Sequence, residues 1–92
     1  MIKFKLLKSK KVVIDNLSHT VDSIMADYFS AHGDLLPPSG VYNRVMREVE
    51  KPLIERSLKA TNGNQIKTAA LLGINRNTLR KKIRELGIRL EK

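Results

Sequence analysis

The chain has 92 residues, of which 41% are hydrophobic, and it contains neither cysteine nor tryptophan. This length allows one domain with a small core, which a second copy of the chain often enlarges, and the lack of cysteine excludes disulfides and thiolate metal sites. The formal net charge of +9 favours polyanionic partners such as nucleic acid. No apolar run approaches the roughly 20 residues that span a bilayer, and the N-terminus does not have the pattern of a signal peptide.

The positive charge is concentrated at the two ends of the chain. Residues 1–15 carry five lysines and one aspartate, a net +4, and residues 64–92 carry eight basic and two acidic residues, a net +6. Residues 16–63 carry five basic and six acidic residues, a net −1. An anionic partner is therefore expected to meet the ends and not the middle.

Residues 1–16 are interpreted as a basic N-terminal arm. Two β-favouring runs flank the polar sequence KSKK, which suits a loose hairpin. The connecting residues include no Gly, Asn or Asp, so a flexible arm is an equal alternative.

Residues 17–32 are predicted to form the first helix. Ser18 is the expected N-cap, and Gly33 is the expected stop. One apolar face follows the i, i+3, i+4, i+7, i+8 spacing of a helix; it consists of Val21, Ile24, Met25, Tyr28 and Phe29. Pro37 and Pro38 then mark a connection that cannot be helical.

Residues 41–61 are predicted to form a long second helix with a kink at Pro52, which removes a backbone donor. Gly63 suits a left-handed exit from this helix. Its apolar side is predicted to contain Val41 or Tyr42, Val45, Met46, Val49, Leu53, Ile54 and Leu58.

Residues 65–72 and 76–86 are predicted to be the third and fourth helices, with Asn64 and Asn75 as their N-caps. Gly73 makes the tight turn between them, and the small Ala69 lets the two helices approach closely. Leu72, Ile74 and Leu79 are expected to hold the second of these helices on the first, and Leu79, Ile83 and Leu86 form its buried stripe. The sequence therefore predicts a helix-turn-helix.

The fourth helix carries a basic face. Arg76, Arg80 and Arg84 recur at i, i+4 and i+8, with Lys81 alongside. The major groove of B-DNA admits one α-helix, and arginine can contact guanine bidentately there. Thr78 can touch a phosphate or a thymine methyl, and Asn64 and Gln65 at the start of the third helix can bind phosphate. These residues predict a helix that reads DNA.

The positive charge alone is also compatible with roles that do not involve DNA. Basic residues on an amphipathic helix often form only a solvated face. A basic module that binds an acidic protein or an anionic membrane is a second alternative, although the fourth helix lacks the bulky apolar face of an interfacial helix. RNA ranks lower, because no aromatic stacking platform is visible.

The chain resembles the Fis family of bacterial nucleoid proteins and the related C-terminal DNA-binding domains of NtrC-type response regulators. The segments that carry the resemblance are DYFSAHG, VYNRVMREVEKPLIE and, most specifically, GNQIKTAALLGINRNTLRKKIRELGI. The resemblance implies an all-α, four-helix subunit in an intertwined homodimer, with residues 17–62 forming the dimer and residues 63–92 the helix-turn-helix. It also implies a DNA-bending transcription regulator of the bacterial cytoplasm and nucleoid.

The resemblance implies specific roles for single residues. Asn64 and Gln65 are expected near the edge of the groove, and Arg76 and Arg80 as the main base and phosphate contacts. The residues expected to bind mostly the DNA backbone are Asn75, Thr78, Lys81 and Lys82. The segment RNTLRKKIRELG lies closer to NtrC-type domains, so a sequence-specific module of that type is the alternative. No receiver or ATPase domain precedes the match within the 92 residues, so activation by that route is not expected.

The remaining polar residues indicate no catalytic or metal site. His19 and His32 stand thirteen residues apart, too far to form an expected metal pair. Glu48, Glu50 and Glu55 are expected to pair with basic neighbours on their own helix, and Tyr28, Phe29 and Tyr42 to pack in the dimer core. We therefore predict a protein that is not an enzyme and takes no cofactor, metal or small-molecule ligand.

Overall fold

Four helices begin and end within residues 14–90, the part of the chain that the computed structural model describes. They are α1, Leu17–Ser30; α2, Val41–Ala60; α3, Gln65–Leu72; and α4, Arg76–Glu85. Residues 14–90 contain no strand, which confirms the all-α class. The hairpin or flexible arm predicted for residues 1–16 lies almost wholly outside the described residues; of its three described residues, Ile14 and Asp15 are helical and Asn16 is in a turn.

The chain divides into two units between Ser39 and Gly40, and the first unit contains α1. This helix begins at Leu17 after Asn16, whose side chain makes no capping hydrogen bond. The prediction of Ser18 as the N-cap is therefore wrong: Asn16 precedes the helix and accepts from the amide of Thr20 at 3.1 Å through its own carbonyl. No residue of α1 is buried.

The second unit contains α2, which runs from Val41 to Ala60 through Pro52 without a break. Pro52 has no amide proton to donate into the helix, yet the residues on both sides of it remain helical. Beyond it, the hydroxyl of Ser57 donates to the carbonyl of Leu53 at 2.8 Å.

The exit of α2 is left-handed one residue earlier than predicted. Asn62 has φ +54° and Gly63 has φ +81°. The amide of Gly63 donates to the carbonyl of Leu58 at 2.8 Å and that of Asn62 to Lys59 at 3.2 Å. These two bonds form a Schellman motif in which Asn62 occupies the left-handed position. Gly63, which was predicted for that position, is the next residue.

The core of this unit joins the C-terminal half of α2 to the last two helices. The buried apolar side chains are Ile54, Leu58, Ala69, Leu79, Ile83, Leu86 and Ile88. Leu79 is fully buried, with 0% exposure, and Leu72 and Ile74 pack against the cluster. The predicted stripe of α4 is confirmed, and so are the helix–helix contacts around Ala69.

The described residues include two buried polar side chains that were not predicted, Ser57 of α2 and Thr68 of α3, of which Thr68 is the more enclosed. It is 0% exposed, and its hydroxyl donates to the carbonyl of Asn64 at 2.7 Å. The same oxygen lies 2.6 Å from the hydroxyl oxygen of Thr61. Buried hydroxyls need such partners, and here they connect the end of α2 to the first turn of α3.

Candidate nucleic-acid interface

The turn between α3 and α4 is built around Gly73. Its φ is +74°, a region that costs a residue with a Cβ about 1–2 kcal/mol. The amide of Gly73 donates to the carbonyl of Ala70 at 3.2 Å, and the amide of Ile74 donates to Ala69 at 3.0 Å. This Schellman motif turns Ile74 back onto the core, so the turn fixes the direction in which α4 starts.

The two predicted asparagine caps are confirmed. The side-chain oxygen of Asn64 accepts from the amide of Lys67 at 3.0 Å, and that of Asn75 accepts from the amide of Asn77 at 2.7 Å. Both asparagines are exposed. Because each cap uses the oxygen, the side-chain nitrogen remains a donor for an anion beside the helix N-terminus.

The far end of α4 is closed in the same way as the ends of α2 and α3. The amide of Ile88 donates to the carbonyl of Ile83 at 3.0 Å, and that of Gly87 to Arg84 at 3.2 Å. Ile88 is 7% exposed, so the chain after α4 folds back onto the core. The helix predicted to read DNA, α4, is thus a short helix fixed at both ends.

Most of the predicted DNA-binding side chains of α4 are exposed. At about 100° per residue, Lys81 and Arg84 lie opposite the buried stripe, Arg76 and Arg80 along one side of it, and Thr78 along the other. All five are exposed and make no side-chain hydrogen bond or ion pair within residues 14–90. Four cations are therefore available on one accessible helix surface, which we call the basic face of α4: Arg76, Arg80, Lys81 and Arg84.

Lys82 is separate from this face. It is half-buried, and its ammonium group lies 2.6 Å from the carboxylate oxygen of Glu50 on α2. The expectation that Glu50 pairs within its own helix is therefore wrong, because α4 brings a cation closer than its helical neighbours do. A second contact lies nearby: the guanidinium of Arg47 donates to the carbonyl of Glu85 at 3.2 Å.

The remaining predicted positions lie at the start of α3. Gln65 is its first residue and is half-buried, and Asn64 precedes it as the exposed cap. The structure thus brings six of the nine predicted residues together on α4 and its cap, and it places two at the start of α3. It directs the ninth, Lys82, towards α2. DNA contact by these nine residues remains a prediction.

Metal-binding and membrane-spanning features are absent from the described part of the chain. Residues 14–90 contain no group of three or more His, Asp or Glu side chains able to hold a metal ion. No helix among them combines the length and apolar character needed to cross a membrane.

A family model and several known proteins match this region of the chain. The family model described as bacterial regulatory protein, Fis family, matches residues 45–86. The NtrC DNA-binding transcriptional regulator of Azospirillum brasilense is 60% identical over 76 residues, which cover 83% of this chain and 16% of that protein. A putative Fis-like DNA-binding protein of Pseudomonas aeruginosa is 45% identical over 69 residues, 75% of this chain and 65% of that protein.

A second NtrC regulator also matches this chain. The NtrC regulator of Rhizobium meliloti is 62% identical over 73 residues, which cover 79% of this chain and 15% of that protein. The chain therefore spans about one sixth of the length of the NtrC proteins it matches, with 16% and 15% covered.

Proposed function

We propose that the chain, whose residues 45–86 match the family model of Fis-type bacterial regulatory proteins, is a homodimeric, DNA-bending transcription regulator of that family. The observation that carries the proposal is the basic face of α4, which presents four cations without partners in residues 14–90. Its opposite stripe is buried in the helix-turn-helix core. Such a helix is free to enter a groove on one side and is held rigidly on the other.

The chemistry of the basic face suits the major groove of DNA. This groove is about 12 Å wide and admits one α-helix. Arg76 and Arg80 are proposed to contact guanine N7 and O6 or phosphate, since a guanidinium can donate two parallel hydrogen bonds. Lys81 and Arg84 are proposed to neutralise phosphates. Asn64 and Asn75 each offer a side-chain nitrogen at a helix start, where phosphate binds favourably.

Homodimerisation is supported by apolar surface that a single subunit leaves uncovered. On α1, which has no buried residue, Ile24 is 55% exposed and Phe29 is 45% exposed. On α2, Tyr42 is 75% exposed and Leu53 is 52% exposed. Contiguous exposed apolar surface marks interaction sites, and a two-fold axis allows one such surface to cover its own copy.

DNA bending follows from the proposed dimer and the family resemblance. Two recognition helices fit successive major grooves of straight DNA when they lie about 34–36 Å apart. The resemblance implies a shorter separation, so the duplex must bend to reach both helices. Sequences that bend easily are then preferred even where the protein touches no base. The site of action is proposed to be the nucleoid in the bacterial cytoplasm.

DNA binding is tested by the salt dependence of affinity and by Arg80→Ala. If the dimer makes 6–10 phosphate contacts, affinity falls about 10³- to 10⁵-fold between 50 and 200 mM salt. Arg80→Ala is expected to weaken binding by about 1–3 kcal/mol, or about 5- to 150-fold. Arg56→Ala is the matched control: it removes the same charge from an exposed position on α2. A salt-insensitive affinity, or equal binding by both variants, contradicts the proposal.

Dimerisation is tested by sedimentation equilibrium of the full chain. Ile24→Glu places a charge on the apolar face of α1 and is expected to yield monomers, because a buried carboxylate without a partner is strongly unfavourable. Ser23→Glu adds the same charge at the neighbouring exposed position and is expected to leave the dimer intact. A wild-type monomer at micromolar concentration, or dimers of Ile24→Glu, rules out this surface.

A second candidate function is a sequence-specific DNA-binding module of the NtrC type. It is favoured by the 60% identity to the NtrC regulator of Azospirillum brasilense, against 45% to the Fis-like protein. Circular-permutation gel shifts distinguish the two functions, since a large bend supports the first and a small one the second. Genome-wide occupancy provides an independent test: thousands of related AT-rich sites support the first, and a few sharp sites the second.

A further inference from the structure

We propose that two polar contacts between α2 and α4 set the angle between these helices and, through it, the bend of bound DNA. The contacts are the ion pair of Lys82 with Glu50 and the hydrogen bond from Arg47 to the carbonyl of Glu85. Lys82 is then a positioning residue and does not bind phosphate. The inference rests on the proposed function, because it requires a dimer that presents two copies of α4 to one duplex.

The ion pair between Lys82 and Glu50 is short and partly buried. The Lys82 ammonium and the Glu50 carboxylate lie 2.6 Å apart, and their side chains are only 31% and 26% exposed. The two residues are 32 positions apart in sequence, so no local preference of one helix brings them together. Partial burial reduces the screening that weakens most surface ion pairs, and the contact therefore resists displacement by salt.

The two polar contacts lie along α2 at a distance from the apolar cluster, where they can control the angle between α2 and α4. Arg47, Glu50 and Ile54 follow one face of α2 at i, i+3 and i+7. Ile54 and Leu58 on this side of α2 belong to the buried cluster that also contains Leu79 and Ile83 of α4, and seven residues of helix separate Arg47 from Ile54 by about 10 Å. The turn at Gly73 and the apolar cluster hold α4 in the helix-turn-helix, and the polar contacts farther along α2 restrain the remaining tilt of α4 against α2.

The neighbouring lysine shows why the role is specific to Lys82. Lys81 is exposed and has no ion pair within residues 14–90, so its charge is available to phosphate. The charge of Lys82 is already balanced by Glu50. Breaking that pair to reach DNA would leave a half-buried carboxylate without its cation, which is unfavourable. The two adjacent lysines therefore separate into one that binds DNA and one that orients the helix.

The angle matters because α2 also carries apolar surface proposed to face the second subunit. Tyr42 and Leu53, both exposed in the single chain, lie on the helix to which α4 is attached. A change in the angle between α2 and α4 changes the separation of the two α4 helices in the dimer. A shift of about 1 Å over the 10 Å arm turns α4 by roughly 6°, and two-fold symmetry applies the turn in both subunits.

The test measures the DNA bend and the salt slope of binding for Lys82→Met and Glu50→Gln in the full chain. Both variants break the same ion pair from opposite sides, so we expect both to change the bend by about 6–12°, with retained helicity and an unreduced salt slope. Lys81→Met is the matched charge control. It is expected to lower the slope by about 1 for each lost phosphate contact and to leave the bend unchanged. Glu48→Gln, an exposed neighbour on α2, is expected to change neither.

Rescue by exchange of the charges separates positioning from general structural damage. Glu50→Lys combined with Lys82→Glu restores an opposite-charge pair and is expected to restore the wild-type bend. If Lys82→Met lowers the salt slope as Lys81→Met does and leaves the bend unchanged, Lys82 is a phosphate contact and the inference is wrong. A wild-type bend in Glu50→Gln also overturns it. If the wild type neither dimerises nor bends DNA, the proposed function falls and the inference falls with it.

Discussion

Replacement of Leu79 by alanine tests whether the helix-turn-helix core supports the domain. Leu79 is 0% exposed and lies among the buried side chains that join α2, α3 and α4. Its full burial contributes about 1.5–3 kcal/mol of transfer free energy. The cavity left by alanine adds to this, because close-packed neighbours relax only partly. We expect a loss of about 3–5 kcal/mol in the free energy of unfolding.

Leu71→Ala provides the matched control for this substitution. Leu71 is also helical, but it is 62% exposed. The same three heavy atoms are removed from a site where most of the side chain already meets water and no cavity forms. We therefore expect a change within about 0.5 kcal/mol. The difference between the two variants isolates burial from the chemistry of the leucine-to-alanine change.

The assay is thermal unfolding followed by circular dichroism at one fixed protein concentration, because the proposed dimerisation would make the midpoint depend on concentration. At about 4–8 °C per kcal/mol for a domain of this size, Leu79→Ala is expected to lower Tm by at least about 12 °C. Leu71→Ala is expected to shift it by less than about 4 °C. Equal shifts in the two variants would refute the assignment of the core.

Substitutions at three further positions address the buried hydroxyl, the turn and a helix cap. Thr68→Val is expected to cost about 0.5–1.5 kcal/mol in urea unfolding, and no more, because the hydroxyl of Thr61 keeps its alternative acceptors at 3.2 Å. Gly73→Ala is expected to cost about 1–2 kcal/mol from its positive φ alone, since no atom lies within 4 Å of the added Cβ; a neutral result contradicts the strain. Asn75→Ala removes the 2.7 Å cap and is expected to cost about 0.5–2 kcal/mol, whereas Asn75→Asp should stay close to wild type.

Local signals explain why much of the helix-turn-helix could be predicted. The caps Asn64 and Asn75, the turn at Gly73 and the stripe containing Leu79 each depend on residues within one or two helical turns. Such short-range rules act before tertiary packing is considered. The structure therefore agrees with the sequence on α3 and α4, with the predicted end of α4 one residue beyond Glu85.

Predictions that depended on distant residues were less successful. The pairing of Glu50 with Lys82 arises from the tertiary fold, which brings these residues of α2 and α4 together, and rules for neighbours on one helix cannot identify it. The burial of Thr68 was missed because threonine in a short helix has the same pattern as a solvent-facing polar residue. The cap at Ser18 failed for a related reason: helical backbone at Ile14 and Asp15 precedes α1, so an isolated cap signal does not locate its start.

The uncovered face of α1 links the order of this segment to the amount of protein present. A helix of 14 residues with no buried side chain is marginal in water without tertiary support. On the proposed dimer, the encounter of two subunits supplies that support, so assembly and local folding become one equilibrium. For the DNA-binding dimer proposed above, occupancy of DNA is then expected to rise more steeply than in proportion to the concentration of chains.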